Sequence, residues 1–224
     1  MGTLSALIVV PLIGAVAVAL TNRTRVDVLR GVVLVTLTIE LAIAAYVVSQ
    51  FKTGVGDFQF VVNTPWIEQF GISWHLGIDG ISLWLVALTG LLFPIAAFGP
   101  PIKHDPKPYL VWLLVLQAGV MGSFLSLDLF LFFVFFELVL VPMYFLIAGW
   151  GYDKRAYASI KFFLYTLFGS AFLLVGIVTL AVLHQRATGT LTFNLIELGK
   201  GAGLTQTAAT LLFFAFGIGF AVKV

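Results

Sequence analysis

Apolar residues in this chain come in long runs separated by short polar breaks. A bilayer core about 30 Å thick needs about 20 apolar residues in a helix. The runs predict helices over 3–20, 28–49, 78–98, 109–126, 129–149, 156–184 and 207–224, about seven membrane spans in all. The first run mimics a signal peptide, because Ala15-Val16-Ala17 resembles a cleavage site. No Lys or Arg precedes it in MGTLS, however, and the basic residues follow it, so it reads as a retained helix. Between the second and third runs, 50–77 is the longest polar stretch, with Gly54, Gly56, Pro65, Trp66 and Trp74 as loop and interfacial signals. Short strands are expected there at Phe58–Val62 and Ile72–His75.

Composition narrows the class. With 61% hydrophobic residues, 10% charged and a mean hydropathy of +1.10, the chain is an all-α polytopic membrane protein, and 1–224 reads as a single membrane domain. The net charge of +2 gives no argument for nucleic acid as a partner. The sequence has no cysteine, which excludes disulfides, thiolate zinc and cysteine-ligated iron–sulfur clusters from this chain. His75, His104 and His184 lie far apart near predicted helix ends, so they are expected to be surface or interfacial residues and not metal ligands. The glycine-rich piece 199–203 follows no strand and has no P-loop spacing, so it reads as a connector.

The run LFLFFVFFELVLVPMYFLIAGWG, Leu129 to Gly151, holds one ionisable carboxylate, Glu137. At about 1.5 Å per residue Glu137 lies roughly 12 Å from Leu129, near the bilayer midplane. A charge there costs about 3 kcal/mol on insertion scales, so it must be buried among helices, protonated or paired. Pro142 lacks an N–H and deprives the Leu138 carbonyl of its helical donor, and Tyr144 lies about two turns beyond Glu137 on the same face. One reading of Glu137 is a structural carboxyl. The other, the default for an intramembrane carboxylate, is a proton or ion role.

Three more charges fall in or beside the runs. Lys223 lies deep in the last one, after Gly217 and Gly219, which allow close packing or a local break. A Lys and a Glu on different helices are natural partners, since burial disfavours the charge of each and pairing restores it. Lys161 has two readings: an interfacial anchor flanked by Tyr157 and Tyr165, or a lysine of the proton path. Glu40 sits well inside the second run, either pairing across a subunit contact or carrying a function of its own. Ala118, Gly122 and Ser126, four apart, form a small-residue stripe for close helix approach, and Leu127-Asp128 closes a tight hairpin. Lys and Arg gather in the turns after helices one, three and five (Arg23, Arg25, Arg30, Lys103, Lys107, Lys154, Arg155), against Lys52, Arg186 and Lys200 elsewhere. The positive-inside rule then places the N-terminus outside.

The block FFELVLVPMYFLI resembles the fifth helix of the antiporter-like subunit M family of proton-pumping NADH:quinone oxidoreductase, respiratory complex I, whose mitochondrial counterpart is NADH dehydrogenase subunit 4. LGIDGISL (Leu76 to Leu83), KFFLYTLFGS (Lys161 to Ser170) and the final FAVKV resemble further blocks of that family in the same order. The resemblance implies a proton-translocating membrane-arm subunit, with Glu137 and Lys223 as its buried carboxylate and lysine and Pro142 disrupting the helix beside them. It implies no cofactor in this chain, flavin and iron–sulfur clusters residing in partner subunits. It also implies other membrane-arm subunits as partners, neighbouring antiporter-like subunits among them, a bacterial plasma membrane location, and the N-terminal part of a longer subunit with inverted repeats, the first beginning near 109. Because the apolar run around Lys223 has no flank after Val224, a fragment is expected. Two alternatives stand beside this reading: a subunit of a multi-subunit sodium/proton antiporter, and a passive structural membrane segment.

Overall fold

The protein is described by a computed structural model covering residues 2–99, 102, 104–200 and 203–223. The expectations for Lys103, for 201–202 within the glycine-rich connector and for Val224 lie outside the described residues. Helices α1 (Thr3–Leu20) and α2 (Val26–Gln50) lead into a hairpin of β1 (Gln59–Ile67) and β2 (Ile72–Ile78). Helices α3 (Gly80–Phe98), α4 (Pro106–Leu125), α5 (Leu129–Leu138), α6 (Leu140–Trp150) and α7 (Arg155–Thr188) follow, then a short α8 (Leu195–Gly199) and α9 (Gln206–Ala221). Among the described residues six helical stretches are long and apolar enough to cross a membrane, α5 and α6 counting as one, and α9 is a shorter apolar helix of 16 residues.

Two helical groups share α4 and α5 as their seam. Helices α1 to α4 pack around two stacked apolar clusters, one built on Leu7, Val47, Val86 and Met121, the other on Val18, Val33, Ala97 and Leu114. The second group joins α7 to α6 and α9, with Leu173 and Ile177 meeting the phenylalanines of α5. The small-residue stripe explains the seam. An added Cβ on Gly122 would overlap the Phe135 ring, and one on Gly119 would come within 3.0 Å of Val139 Cγ2. Ser126 falls just past the end of α4 and forms a bridge to Leu76.

The hairpin covers one end of the helices. Its strands run antiparallel with Asn63 opposite His75 and Thr64 opposite Trp74, and both run further toward their C-terminal ends than expected. Gly71 turns it with φ +65°, and any Cβ there would strike the Leu191 carbonyl. Trp74 Nε1 donates to Ser5 Oγ at 3.0 Å, and Leu127 N donates to the His75 carbonyl at 2.8 Å. Asp128 locks this end. Fully buried, its Oδ1 accepts from Phe130 N at 2.9 Å and Leu131 N at 3.0 Å, capping α5, while Oδ2 accepts from Ser73 N at 3.0 Å.

Three expectations are corrected here. His75 and His184 are buried, at 3% and 6% exposure, because the hairpin and the α7 packing cover them; only His104 is exposed, stacked on Trp150. Glu40 is fully buried within the chain, so it cannot pair across a subunit contact. The last helix does not run to Val224: it ends at Ala221, and Val222 and Lys223 form a turn.

Candidate functional site

Lys223 Nζ lies 3.0 Å from Glu137 Oε1, donating to it, with both side chains largely buried at 16% and 20% exposure. The same ammonium donates to the Phe136 carbonyl at 2.8 Å and sits 3.5 Å from the centroid of the Phe136 ring. Each charge is thus partnered at a depth where a lone one would be costly.

Local sequence explains how the two residues meet. On the α9 side, Gly219 lets the backbones close up: an added Cβ would lie 2.9 Å from Leu173 Cβ and 3.3 Å from the Gly169 carbonyl oxygen. Gly169 in turn makes room for Val222, which would be 2.6 Å from a Cβ placed there. Phe220 packs on Phe132 and Phe136 of α5 at 6.2 and 5.9 Å between ring centroids. Ending α9 at Ala221 then frees the Lys223 backbone from helical register, and its side chain reaches across to α5.

On the α5 side, the interruption falls at Val139, between Glu137 and Pro142. Pro142 withholds the N–H that the Leu138 carbonyl would otherwise receive. Val139 keeps helical angles (φ −60°, ψ −32°), so the chain continues nearly straight through the break. The lysine binds the carbonyl of Phe136 instead of the Leu138 carbonyl singled out by the proline. Tyr144 packs against Phe163 of α7 at 5.5 Å and has no hydrogen bond to the pair.

Lys161 does not join this pair. It lies exposed on the outward face of α7 with its Nζ 5.8 Å from the Tyr157 ring centroid, beside a shallow groove lined by Ile160, Leu164 and Phe168. Asp128 and the deep burial of Glu40 are what sequence reasoning missed. An Asp directly before the apolar run 129–138 is an N-cap signal that could have found the first. No local signal distinguishes a buried Glu40 from a lipid-facing one.

The class that the fold and the site define is a polytopic helical membrane protein with a carboxylate and a lysine paired beside an interrupted helix. Both residues fall in the segment, 126–224, that matches the family described as the transmembrane region of NADH:quinone oxidoreductase/Mrp antiporter proteins. Along nearly its whole length the chain is a homologue of subunit M proteins. It is 39% identical to NADH-quinone oxidoreductase subunit M of Escherichia coli (strain K12) over 97% of this chain and 45% of that protein. It is 35% identical to NADH-ubiquinone oxidoreductase chain 4 of Marchantia polymorpha over 99% of this chain and 44% of that one. The chain therefore spans a little under half the length of these relatives. The fold superimposes on a chain of respiratory complex I from Thermus thermophilus with a TM-score of 0.80 at 22% identity, covering 98% of this chain and 44% of that one. It also superimposes on a chain of the Mrp complex from Dietzia sp. with a TM-score of 0.74 at 20% identity, covering 99% and 24%. The fold is that of an antiporter-like membrane subunit.

Proposed function

We propose that this chain is part of a proton-translocating membrane-arm subunit of NADH:quinone oxidoreductase, in which the Glu137–Lys223 pair couples to quinone reduction elsewhere in the complex. The observation that carries the reading is the 3.0 Å ion pair seated between α5 and the end of α9. A proton delivered to Glu137 would remove the charge that holds the ammonium and release Lys223 from α5. A proton leaving Lys223 would do the same from the other side. Separation and re-pairing of the two groups is the elementary step that this geometry supports. Pro142 contributes by weakening the backbone next to the carboxylate, so that the pair can part without unwinding a regular helix. Lys161 enters the proposal as a second lysine of the path, one that would need its partner from outside the described residues, since it faces outward here.

The chain would carry no redox centre of its own. Flavin and iron–sulfur clusters would belong to partner subunits, and neighbouring membrane-arm subunits would cover part of the exposed apolar surface of α3 and α7. The membrane would be the bacterial plasma membrane with the N-terminus outside, as the distribution of Lys and Arg supports. The experiment is Glu137→Gln in the assembled complex, with NADH:quinone turnover and proton uptake measured in vesicles. The expected result is a drop of about tenfold or more, because stripping the partner from a buried charge costs about 3–5 kcal/mol. Near-normal turnover and pumping in assembled enzyme would end the proposal. A second reading, a sodium/proton antiporter subunit, draws on the likeness to the Mrp complex fold. It predicts sodium-dependent proton movement in vesicles without NADH.

A further inference from the structure

The two apolar clusters of the α1–α4 group leave a layer between them, and that layer is polar. On α2, Leu29, Val33 and Leu37 belong to one cluster and Ala44 and Val47 to the other, with Glu40 between. On α4, Leu110, Leu113 and Leu114 belong to the first, Met121 and Leu125 to the second, with Gln117 between. Thr89 takes the same place on α3, and Gly14 on α1. Glu40 and Gln117 are both fully buried, and among the described residues neither oxygen of Glu40 nor either amide atom of Gln117 has a hydrogen-bond partner.

Among the described residues, nothing around Glu40 neutralises it when ionised. The elements packed against α2 are α1, α3 and α4. Helices α1 and α3 contain no ionisable residue, and those of α4 are Lys107 and Tyr109 near its start. Lys107 Nζ donates to the Thr21 carbonyl at 2.7 Å, and Tyr109 Oη donates to the Ala96 carbonyl at 3.2 Å. On α2 itself Asp27 and Arg30 sit in the opening turns, and Tyr46 faces outward. Glu137 and Lys223 are engaged with each other between α5 and the end of α9.

We propose that Glu40 and Gln117 form a second intramembrane site, which holds an exchangeable proton on a neutral Glu40 carboxyl and water linking it to the Gln117 amide. Buried polar atoms are almost always satisfied by protein or ordered water, and here the protein satisfies none of the four. Water has enough to bind. Thr36 Oγ1, one turn before Glu40 on α2, donates to the Val32 carbonyl at 2.8 Å, and Thr89 Oγ1, in the same layer on α3, to the Leu85 carbonyl at 2.7 Å, so their oxygen lone pairs remain as acceptors. The layer is also pinned. An added Cβ on Gly14 would lie 2.5 Å from Thr36 Oγ1, and one on Gly90 would lie 3.3 Å from Ala44 Cβ, one turn either side of Glu40. The site is separate from the Glu137–Lys223 pair and does not rest on the function proposed for it.

The test is infrared difference spectroscopy of the assembled protein in membranes at neutral pH, wild type against Glu40→Gln, in H₂O and in D₂O. The expected result is a protonated-carboxyl carbonyl band present in wild type, absent in Glu40→Gln and shifted downward in D₂O. Gln117→Leu should shift the same band, because it removes the amide end of the hydrogen-bonded chain while leaving the carboxyl in place. If Glu40→Gln does not assemble, the wild-type isotope shift and the Gln117→Leu shift decide the matter. A carboxylate signal in place of the carbonyl band overturns the proposal, as does a band that ignores both D₂O and Gln117→Leu. Sodium-dependent spectral changes lost in Glu40→Gln would also overturn it, by making the occupant a metal cation.

Discussion

Removing the Glu137 carboxylate would leave the Lys223 ammonium with the Phe136 carbonyl and ring as its remaining contacts. Two charges acting as one unit give non-additive effects, so Lys223→Ala should resemble Glu137→Gln, and the double variant should lose much less than the two losses combined. Proton uptake in vesicles measures this; additive losses would mean that the two residues act apart. Glu137→Asp keeps the charge but shortens the reach by about one methylene, so it should retain part of the activity. His75 behaves differently because its partners are few. Burial holds its imidazole below the ordinary value of 6.5, and the charges of Asp128 and Glu197 pull only partly the other way. In the unfolded chain the histidine takes up a proton as pH falls through 6.5, while in the hairpin it stays neutral until lower pH. The stability it contributes is therefore complete above about 6.5 and lost as pH falls toward the folded-state value. Thermal unfolding of wild type should drop in midpoint between pH 7.5 and 5.5, and His75→Gln should flatten that drop. An equal drop in both proteins would remove His75 from the explanation.

At the scale of elements, the close approaches are set by glycines that hydrophobicity alone cannot rank. The apolar runs made the membrane helices legible, and the carboxylate and lysine in two of them suggested a pair before any geometry. What was not legible was which neighbour each polar group would find. Glu40 lies on a stripe of buried residues four and three apart, but in a helix this apolar all round, the inward face has no sequence contrast to reveal it. The two buried histidines are hidden from sequence for a related reason: His75 reads as a loop-edge residue until the hairpin folds over the helix ends, and His184 reads as a helix-end residue although α7 continues to Thr188. The end of α9 was hidden too, because the apolar run continues past the point where the helix stops. Two substitutions test the packing. Gly122→Leu must displace the Phe135 ring, and overpacking of this kind costs about 1–3 kcal/mol. Gly169→Leu must displace Val222, the neighbour of Lys223, so it should lower pumping more than it lowers assembly. Quantifying the assembled complex beside proton uptake separates the two; a Gly169→Leu protein that pumps normally would show that the α7–α9 contact does not position the lysine.

Across the whole molecule, contacts sort the loops onto two sides before any membrane is invoked. Lys107 Nζ ties the start of α4 to Thr21 at the end of α1, and Trp150 Nε1 at the end of α6 donates to the His104 carbonyl at 2.8 Å, which places these breaks together. At the opposite end, Leu127 N bonds the hairpin through His75, while Leu129 N donates to the Phe193 carbonyl and Leu195 N to the Leu127 carbonyl. The first side carries Arg23, Arg25, Arg30, Lys107, Lys154 and Arg155, the second Lys52, Arg186 and Lys200. Packing thus fixes which loops share a side, and the orientation proposed above puts the more basic side in the cytoplasm. Because the sequence has no cysteine, single cysteines can report this directly. Thr24, Asp153, Gly56 and Thr190 are all exposed, and a Cβ at Gly56 meets nothing within 4 Å. In right-side-out vesicles an impermeant thiol reagent should label Gly56→Cys and Thr190→Cys, and leave Thr24→Cys and Asp153→Cys unlabelled until the membrane is opened. The reverse pattern would invert the orientation and keep the fold. Labelling of Thr24→Cys together with Gly56→Cys would contradict the fold itself, because α2 could not then cross between them.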